Sequence, residues 1–175
     1  VVDIVEEYFG HWRSEVVPEN KKKLTVPKEG VFTEDKEGLN TAKVEIIFPI
    51  NELGHWEIKA LKVFNQYFGE GVNSVLYDTL RTKNNLVYSV LTSVDNEEYI
   101  KLYKINYSTS LDNIDKSLKI IDELINDLDK CNDFDKEALI KSFRVNRLFY
   151  DEKSVRLAME MATYDTMFGN GYLYL

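Results

Sequence analysis

The stretch from Tyr67 to Val90 contains the chain's candidates for a binding or catalytic role. It begins with a tight glycine turn, in which Gly69 and Gly71 flank a single glutamate, and a helix is predicted to start at Asn73. The free backbone amides of such a turn and the N-terminus of the next helix can hold a carbonyl or carboxylate group. We therefore take Gly69, Gly71 and Asn73 as candidate binding residues.

The same stretch places Arg81 and Tyr88 seven residues apart, on either side of a polar break. Arg81 ends the predicted helix, where a cation suits the helix macrodipole. Tyr88 lies on the strand that follows. From the residues alone, the structural interpretation of a helix-end charge and a core aromatic is favoured over a chemical role.

The sequence gives little support for a metal site or a nucleotide-binding site. The only two histidines, His11 and His55, are far apart, and neither belongs to a His-Glu-x-x-His or His-x-x-Glu-His pair that would place two zinc ligands on one helix face. The glycine turn follows a helix instead of a strand, and Ser74 stands where a dinucleotide loop needs its third glycine. We expect neither a metal site nor a nucleotide site in this chain.

Composition narrows the class of partner. With 30 acidic and 22 basic residues, the net charge of −8 argues against binding of nucleic acid. No apolar run approaches the length of a membrane span.

The single cysteine, Cys131, is expected to be a free thiol. The chain lacks an initiator methionine and begins as the middle of a helix, so we expect it to be part of something longer. The compartment stays open, with a slight preference for the cytoplasm.

The helices and strands around the candidate residues are predicted from apolar periodicity. Strands are predicted at 31–37, at the edge of a sheet, and at 41–50, 86–94 and 99–108, with the last two forming a hairpin through a turn at 95–98. Asn51 is a plausible N-cap for a helix over 52–67, in which Trp56 shares the apolar side. Helices are also predicted at 73–83 and from Ser110, Asp135 and Ser154, the last closed by Gly169. The three methionines of that last region are expected to fill core space.

Strand pairs and helix pairs are clustered instead of alternating, which indicates an α+β fold: a mostly antiparallel or mixed sheet covered on one face by helices. We divide the chain into the end of a preceding helix at 1–17, an extended connector at 18–30 with the triple lysine Lys21–Lys23 in a solvated loop, and one α+β domain at 31–175.

The block from Leu61 to Arg81, followed by Leu86-Val87-Tyr88-Ser89-Val90, resembles the second, non-catalytic domain of the insulinase (pitrilysin) family of zinc metallopeptidases. In that family a helix ending in a glycine turn runs into a short helix with Ser-x-Leu, and a basic residue and a Leu-x-Tyr-Ser strand follow. The Val44–Pro49 strand and the helical tail fall where the family has them. The turn departs from the family's glycine-rich form, because Glu70 separates its two glycines.

The resemblance implies one half-unit of a clamshell whose zinc lies in an upstream domain or a partner chain, so no zinc is expected here. It also implies that Arg81 and Tyr88 match an arginine and a tyrosine that reach the peptide substrate. An arginine fork can bind a peptide carbonyl or carboxylate, and a tyrosine hydroxyl can donate to the oxygen that becomes negative as water attacks. The implied partners are a peptide and an N-terminal catalytic domain or partner subunit.

Three functions remain open at this stage. The first is a substrate-facing, non-catalytic domain of a zinc endopeptidase, and the second is a peptide-binding or assembly partner of an active subunit. The third is an unrelated regulatory domain that binds a small ligand, which would require a deep closed pocket between Gly69 and Asn73.

Overall fold

The computed structural model describes residues 1–12, 26–128 and 135–174. The helices are α1 (Val2–Phe9), α2 (His55–Phe68), α3 (Val75–Tyr77), α4 (Ile114–Asn126), α5 (Lys136–Asp151) and α6 (Ser154–Phe168). The strands are β1 (Thr41–Pro49), β2 (Val87–Asn96) and β3 (Lys101–Ser110). A π-helical turn (Asp78–Lys83) continues α3, and short 3-10 turns occupy Leu111–Asn113 and Gly171–Tyr174.

The sheet is antiparallel, with β3 between β1 and β2. The β1 pairing runs without a break from Thr41 opposite Ser110 to Pro49 opposite Leu102. The hairpin prediction is confirmed, although β2 extends to Asn96 and the tight connection is closed by a hydrogen bond from the Glu97 amide to the Ile100 carbonyl at 3.0 Å. The predicted α+β class is therefore confirmed.

The core lies on one face of β3, as the period of two along a strand requires. Tyr103, Ile105, Tyr107 and Thr109 alternate with residues that are less buried. The helical segments cover this face and supply side chains to the same core: Phe68, Leu76, Leu80 and Ile121. Full burial of one such aliphatic side chain contributes about 2 kcal/mol, so these contacts hold the helices against the sheet.

Buried polar side chains fix the helices relative to β3. The Tyr103 hydroxyl donates to Asn65 Oδ1 of α2 at 2.8 Å, and the Ser117 hydroxyl of α4 donates to the Tyr107 hydroxyl at 3.1 Å. All four residues are buried. Because a buried polar group without a partner is costly, these bonds favour one packing arrangement of each helix over its alternatives.

Two local predictions are wrong. Residues 31–40, which the structure describes throughout, form no strand, so the edge strand predicted at 31–37 is absent. Asn51 does not cap α2, which begins after Gly54; the Gly54 amide donates to the Glu57 carboxylate at 2.6 Å. The Asn51 side chain instead accepts a hydrogen bond from the Lys101 amide at 2.8 Å, because it lies beside the start of β3.

Several apolar side chains that periodicity placed in the core are exposed. Trp56 is 77% exposed and lies beside Lys59, whose Nζ is 5.2 Å from the ring centroid. Exposed apolar positions on the last two helices include Leu148, Val155 and Met159, so Met159 does not fill core space. One helix start and one helix end were predicted correctly: the Asp135 carboxylate accepts from two backbone amides at the start of α5, and Gly169 closes α6 with φ of +67°. Ser110 precedes a 3-10 turn without a side-chain cap bond.

The predictions for Lys21–Lys23 and for Cys131 concern residues outside those that the structure describes.

Candidate functional site

Glycine is required at the two ends of the turn after α2 for two different reasons. Gly69 ends the helix, and a Cβ at this position would lie 2.3 Å from the Thr92 side chain of β2, so only glycine fits. Gly71 has open space around it but a φ of +86°, which suits a residue without a Cβ. The Gly71 carbonyl accepts from the Ser74 hydroxyl at 2.8 Å, and that hydroxyl in turn accepts from the Tyr77 amide at 3.3 Å.

Arg81 lies in the π-helical turn and is exposed. Its guanidinium carbon is 5.8 Å from the centroid of the Tyr77 ring, a cation–π distance. In the same turn, Lys83 and Asp78 form an exposed ion pair at 2.7 Å; their five-residue separation is the spacing of π-helical hydrogen bonds. Single π-helical turns occur frequently at functional sites, and this one holds a predicted substrate residue.

Tyr88 is presented by a β-bulge. Val87 lies opposite Thr109 of β3, but Ser89 lies opposite Ser108, so Tyr88 is an extra residue on β2. Val87 and Val90 are both buried, whereas Tyr88 between them is 59% exposed. The core-aromatic interpretation of Tyr88 is therefore wrong. Bulges are over-represented next to active sites, where they redirect a side chain.

Two connecting residues, Asn84 and Asn85, tie the chain that leads to the bulge back to the π-helical turn. The Asn84 side chain donates to the Thr79 carbonyl at 2.8 Å, and the Asn85 amide donates to the Arg81 carbonyl at 3.0 Å. Asn85 has a φ of +48°, a left-handed conformation that asparagine tolerates. Arg81 and Tyr88 thus belong to one continuous, hydrogen-bonded segment, in which both side chains are exposed.

An open depression of about 410 Å³ lies beside the glycine turn. Asn73 and Ser74 form part of its wall, together with Asp78 and Lys83 of the π-helical turn. Its open shape does not match the deep closed pocket that a small-ligand regulatory domain would require. Gly69 and Gly71 are not among the residues that line it.

Two titratable side chains outside this segment have shifted pKa values. On the exposed face of the sheet, Lys104 Nζ lies 2.5 Å from an Asp95 carboxylate oxygen, and this hydrogen bond raises the pKa of Lys104. Burial and then the neighbouring Lys59 lower the pKa of His55. Within the described ranges, no group of three or more His, Cys, Asp or Glu side chains could hold a metal ion.

Sequence reasoning found Arg81 and Tyr88 but missed the residues that orient them. The sequence held one signal of the bulge, since the apolar residues Val87 and Val90 stand three positions apart where a regular strand has a period of two. The sequence holds no signal that distinguishes the π-helical turn from an ordinary helix. No helix in the part of the chain that the structure describes is long and apolar enough to span a membrane.

The profile of one protein family, described as the peptidase M16 inactive domain, matches residues 1–142. A protease from Helicobacter pylori superposes with a TM-score of 0.67 at 16% identity, over 94% of this chain and 41% of its own. A peptidase M16 inactive domain from Pseudomonas fluorescens superposes with a TM-score of 0.50 at 16% identity, over 62% of this chain and 26% of its own. The chain thus spans less than half of either solved structure, and at this identity the likeness concerns the fold. Among curated proteins, none matches the chain.

Proposed function

The chain belongs to the family of peptidase M16 inactive domains, and from that premise we propose that it is the non-catalytic, substrate-facing part of a zinc-dependent metalloendopeptidase that degrades or processes peptides. It would associate with an N-terminal catalytic domain or a partner subunit that carries the zinc. The described residues offer no donor set for zinc, so no step of hydrolysis is assigned to a metal in this chain.

The observation that carries the proposal is the exposure of Tyr88 in its bulge, on the same hydrogen-bonded segment as the exposed Arg81. In the proposal, the Arg81 guanidinium binds a carbonyl or carboxylate of the peptide through two parallel N–H donors. The Tyr88 hydroxyl donates a hydrogen bond to the peptide oxygen on which negative charge develops when water attacks. Both groups act by direct contact with the peptide. The proposal leaves any metal chemistry to the domain or subunit that carries the zinc.

The glycine turn is the third part of the proposed site. Asn73 lines the open depression, and the proposal places part of the extended peptide there. Gly69 and Gly71 shape the turn, and the proposal gives their main chain the contacts with the peptide. The contribution of Gly69 is the less direct of the two, because the close approach of Thr92 already explains why it must be glycine.

A test uses the complete protein with its catalytic part present. Arg81→Ala and Tyr88→Phe should each lower kcat/KM for peptide cleavage, by roughly 100-fold for the loss of a preorganised donor. Arg144→Ala and Tyr172→Phe are matched controls, since both side chains are exposed on the C-terminal helical region away from the segment. Wild-type turnover in both Arg81→Ala and Tyr88→Phe would remove the substrate role.

A second candidate is an assembly partner of an active subunit, with no part in catalysis. The observation that favours it is the apolar face of α1, where Val2, Val5 and Tyr8 are each more than half exposed. Exposed apolar patches of this kind mark interaction surfaces. The two candidates differ in a measurable way: substitution of Arg81 and Tyr88 lowers turnover under the first and leaves it unchanged under the second.

A further inference from the structure

Leu86 joins the π-helical turn to the bulge, and both of its backbone groups are hydrogen-bonded. Its amide donates to the Leu80 carbonyl at 2.8 Å, which ties it to the residue before Arg81. Its carbonyl accepts a hydrogen bond from the Thr109 hydroxyl at 2.6 Å. The next residue, Val87, is the first residue of β2 that pairs with β3. A continuous path of short hydrogen bonds therefore connects the segment of Arg81, through Leu86, to Thr109.

Thr109 is unusual for its place in the core. It is fully buried and continues the row of Tyr103, Ile105 and Tyr107 on the core face of β3. A valine would fill the same volume without a hydroxyl that must find a partner. The hydroxyl finds that partner in the main chain of Leu86, which is part of no strand. This hydrogen bond therefore fixes the position at which β2 begins.

The far side of the bulge is held separately. The hydroxyls of Ser89 and Ser108 lie 2.8 Å apart on the exposed face of the sheet. Ser108 pairs with Ser89, the first residue after the bulge, and Thr109 is its neighbour on β3. The buried bond fixes the strand before Tyr88, and the exposed bond fixes it after Tyr88. Of the two, the buried bond is shielded from water and is the stronger constraint.

We propose that Thr109 is a positioning residue: through its hydrogen bond to the Leu86 carbonyl it sets the position of Tyr88 relative to Arg81. The inference rests on the proposed substrate role of that pair, and it adds a residue that touches no substrate. Small displacements of such groups have large effects on rate, because a misplacement of about 1 Å can lower the rate roughly 100-fold.

The test compares Thr109→Val, which keeps the shape and removes the hydroxyl, with Thr109→Ser, which keeps the hydroxyl and removes a methyl group. Ser117→Ala is the matched control, because Ser117 is also fully buried and its hydroxyl is hydrogen-bonded to the Ile114 carbonyl and the Tyr107 hydroxyl, away from the bulge. Two quantities are measured in the complete protein: kcat and KM for peptide cleavage, and hydrogen exchange of the amides of residues 86–90.

We expect Thr109→Val to speed exchange of these amides and to lower kcat by roughly 10-fold, with KM changed less, whereas Thr109→Ser retains the wild-type values of both. Ser117→Ala should lower stability but leave kcat and the exchange of residues 86–90 unchanged. Unchanged exchange in Thr109→Val, or equal losses of kcat in Thr109→Val and Ser117→Ala, would overturn the inference.

The test of the substrate role of Arg81 and Tyr88 gives a result that is separate from the test of Thr109. If Arg81→Ala and Tyr88→Phe turn over at the wild-type rate, the substrate role fails, and kcat no longer reports on Thr109. The exchange of residues 86–90 then decides alone: faster exchange in Thr109→Val with recovery in Thr109→Ser supports the positioning of the bulge, and its absence overturns it.

Discussion

The Thr109 hydroxyl donates a hydrogen bond to the main-chain carbonyl of Leu86 across 2.6 Å, inside the core. The bond joins the end of β3 to the residue that precedes β2, so it fixes the register of the hairpin where the pairing is interrupted. A one-residue change of register would turn the side chains of β2 to opposite faces of the sheet. This single contact therefore bears on both the fold and the orientation of Tyr88.

Removal of that hydroxyl should have a measurable cost in stability. We expect Thr109→Val to lower the free energy of unfolding of the full chain by about 1–3 kcal/mol, the usual cost of leaving a buried partner unpaired. The measurement is urea denaturation followed by circular dichroism. Since Thr109→Ser keeps the bond and loses only a methyl group, it should lose less. A larger loss in Thr109→Ser than in Thr109→Val would show that packing, and not the bond, matters at this position.

Gly69→Ala should destabilise the chain through steric overlap. Its new Cβ would lie 2.3 Å from the Thr92 side chain, so α2 or β2 must shift, at a cost of about 1–3 kcal/mol. Gly71→Ala is the control, because nothing lies within 4 Å of its Cβ and only its φ of +86° opposes the change. A double-mutant cycle with Thr92→Ala separates the causes: the loss in the double mutant should be smaller than the sum of the single losses. Strict additivity would contradict the overlap.

The fold could be predicted from the sequence wherever periodicity and caps acted together. β1 and β3 have alternating apolar residues over nine and ten positions, and α4 has strong helical periodicity, so the types of these elements were predicted correctly. Asp135 and Gly169 marked a helix start and a helix end through local chemistry that does not depend on distant residues. These signals are local, which is why one sequence suffices to read them.

The remaining features depend on tertiary contacts. Asn51 had the chemistry of an N-cap, but the Lys101 amide, 50 residues away, uses its side chain. Periodicity placed Trp56 with the inward residues of α2, whereas its ring is exposed and lies beside Lys59. For the candidate site, residue types alone favoured a structural interpretation of Arg81 and Tyr88, and only the family resemblance gave them a substrate role. Their arrangement could not be predicted, because the bulge and the contact between Leu86 and Thr109 arise only when β2 pairs with β3.

The full chain should bind no zinc at one-to-one stoichiometry. Neither His11 nor His55 belongs to a cluster of potential ligands in the described ranges, and a stable zinc site needs three or four such donors. The measurement is elemental analysis after dialysis against zinc and then against buffer. His55→Ala and His11→Ala are controls that identify weak surface binding. One zinc per chain that survives dialysis, and is lost in either variant, would contradict the assignment of the metal to another domain.

Stability should fall at high pH because of Tyr103. Burial raises the pKa of its hydroxyl from 10.0 to about 12, and the Thr92 hydroxyl partly offsets that effect. Between these two values the folded chain binds more protons than the unfolded chain, so the stabilisation is complete below pH 10 and is lost as the pH rises towards 12. The slope reaches about 1.4 kcal/mol per pH unit at most.

Tyr103→Phe tests this origin. The variant should be less stable at neutral pH, by about 1–3 kcal/mol, because Asn65 Oδ1 loses the hydrogen bond that the Tyr103 hydroxyl donates. Its stability should also fall less steeply between pH 10 and pH 12, as urea denaturation at a series of pH values will show. Some slope will remain, since burial also raises the pKa of Tyr107. Parallel curves for the two proteins would mean that Tyr103 titrates alike in the folded and unfolded chains, and that its burial does not control the loss at high pH.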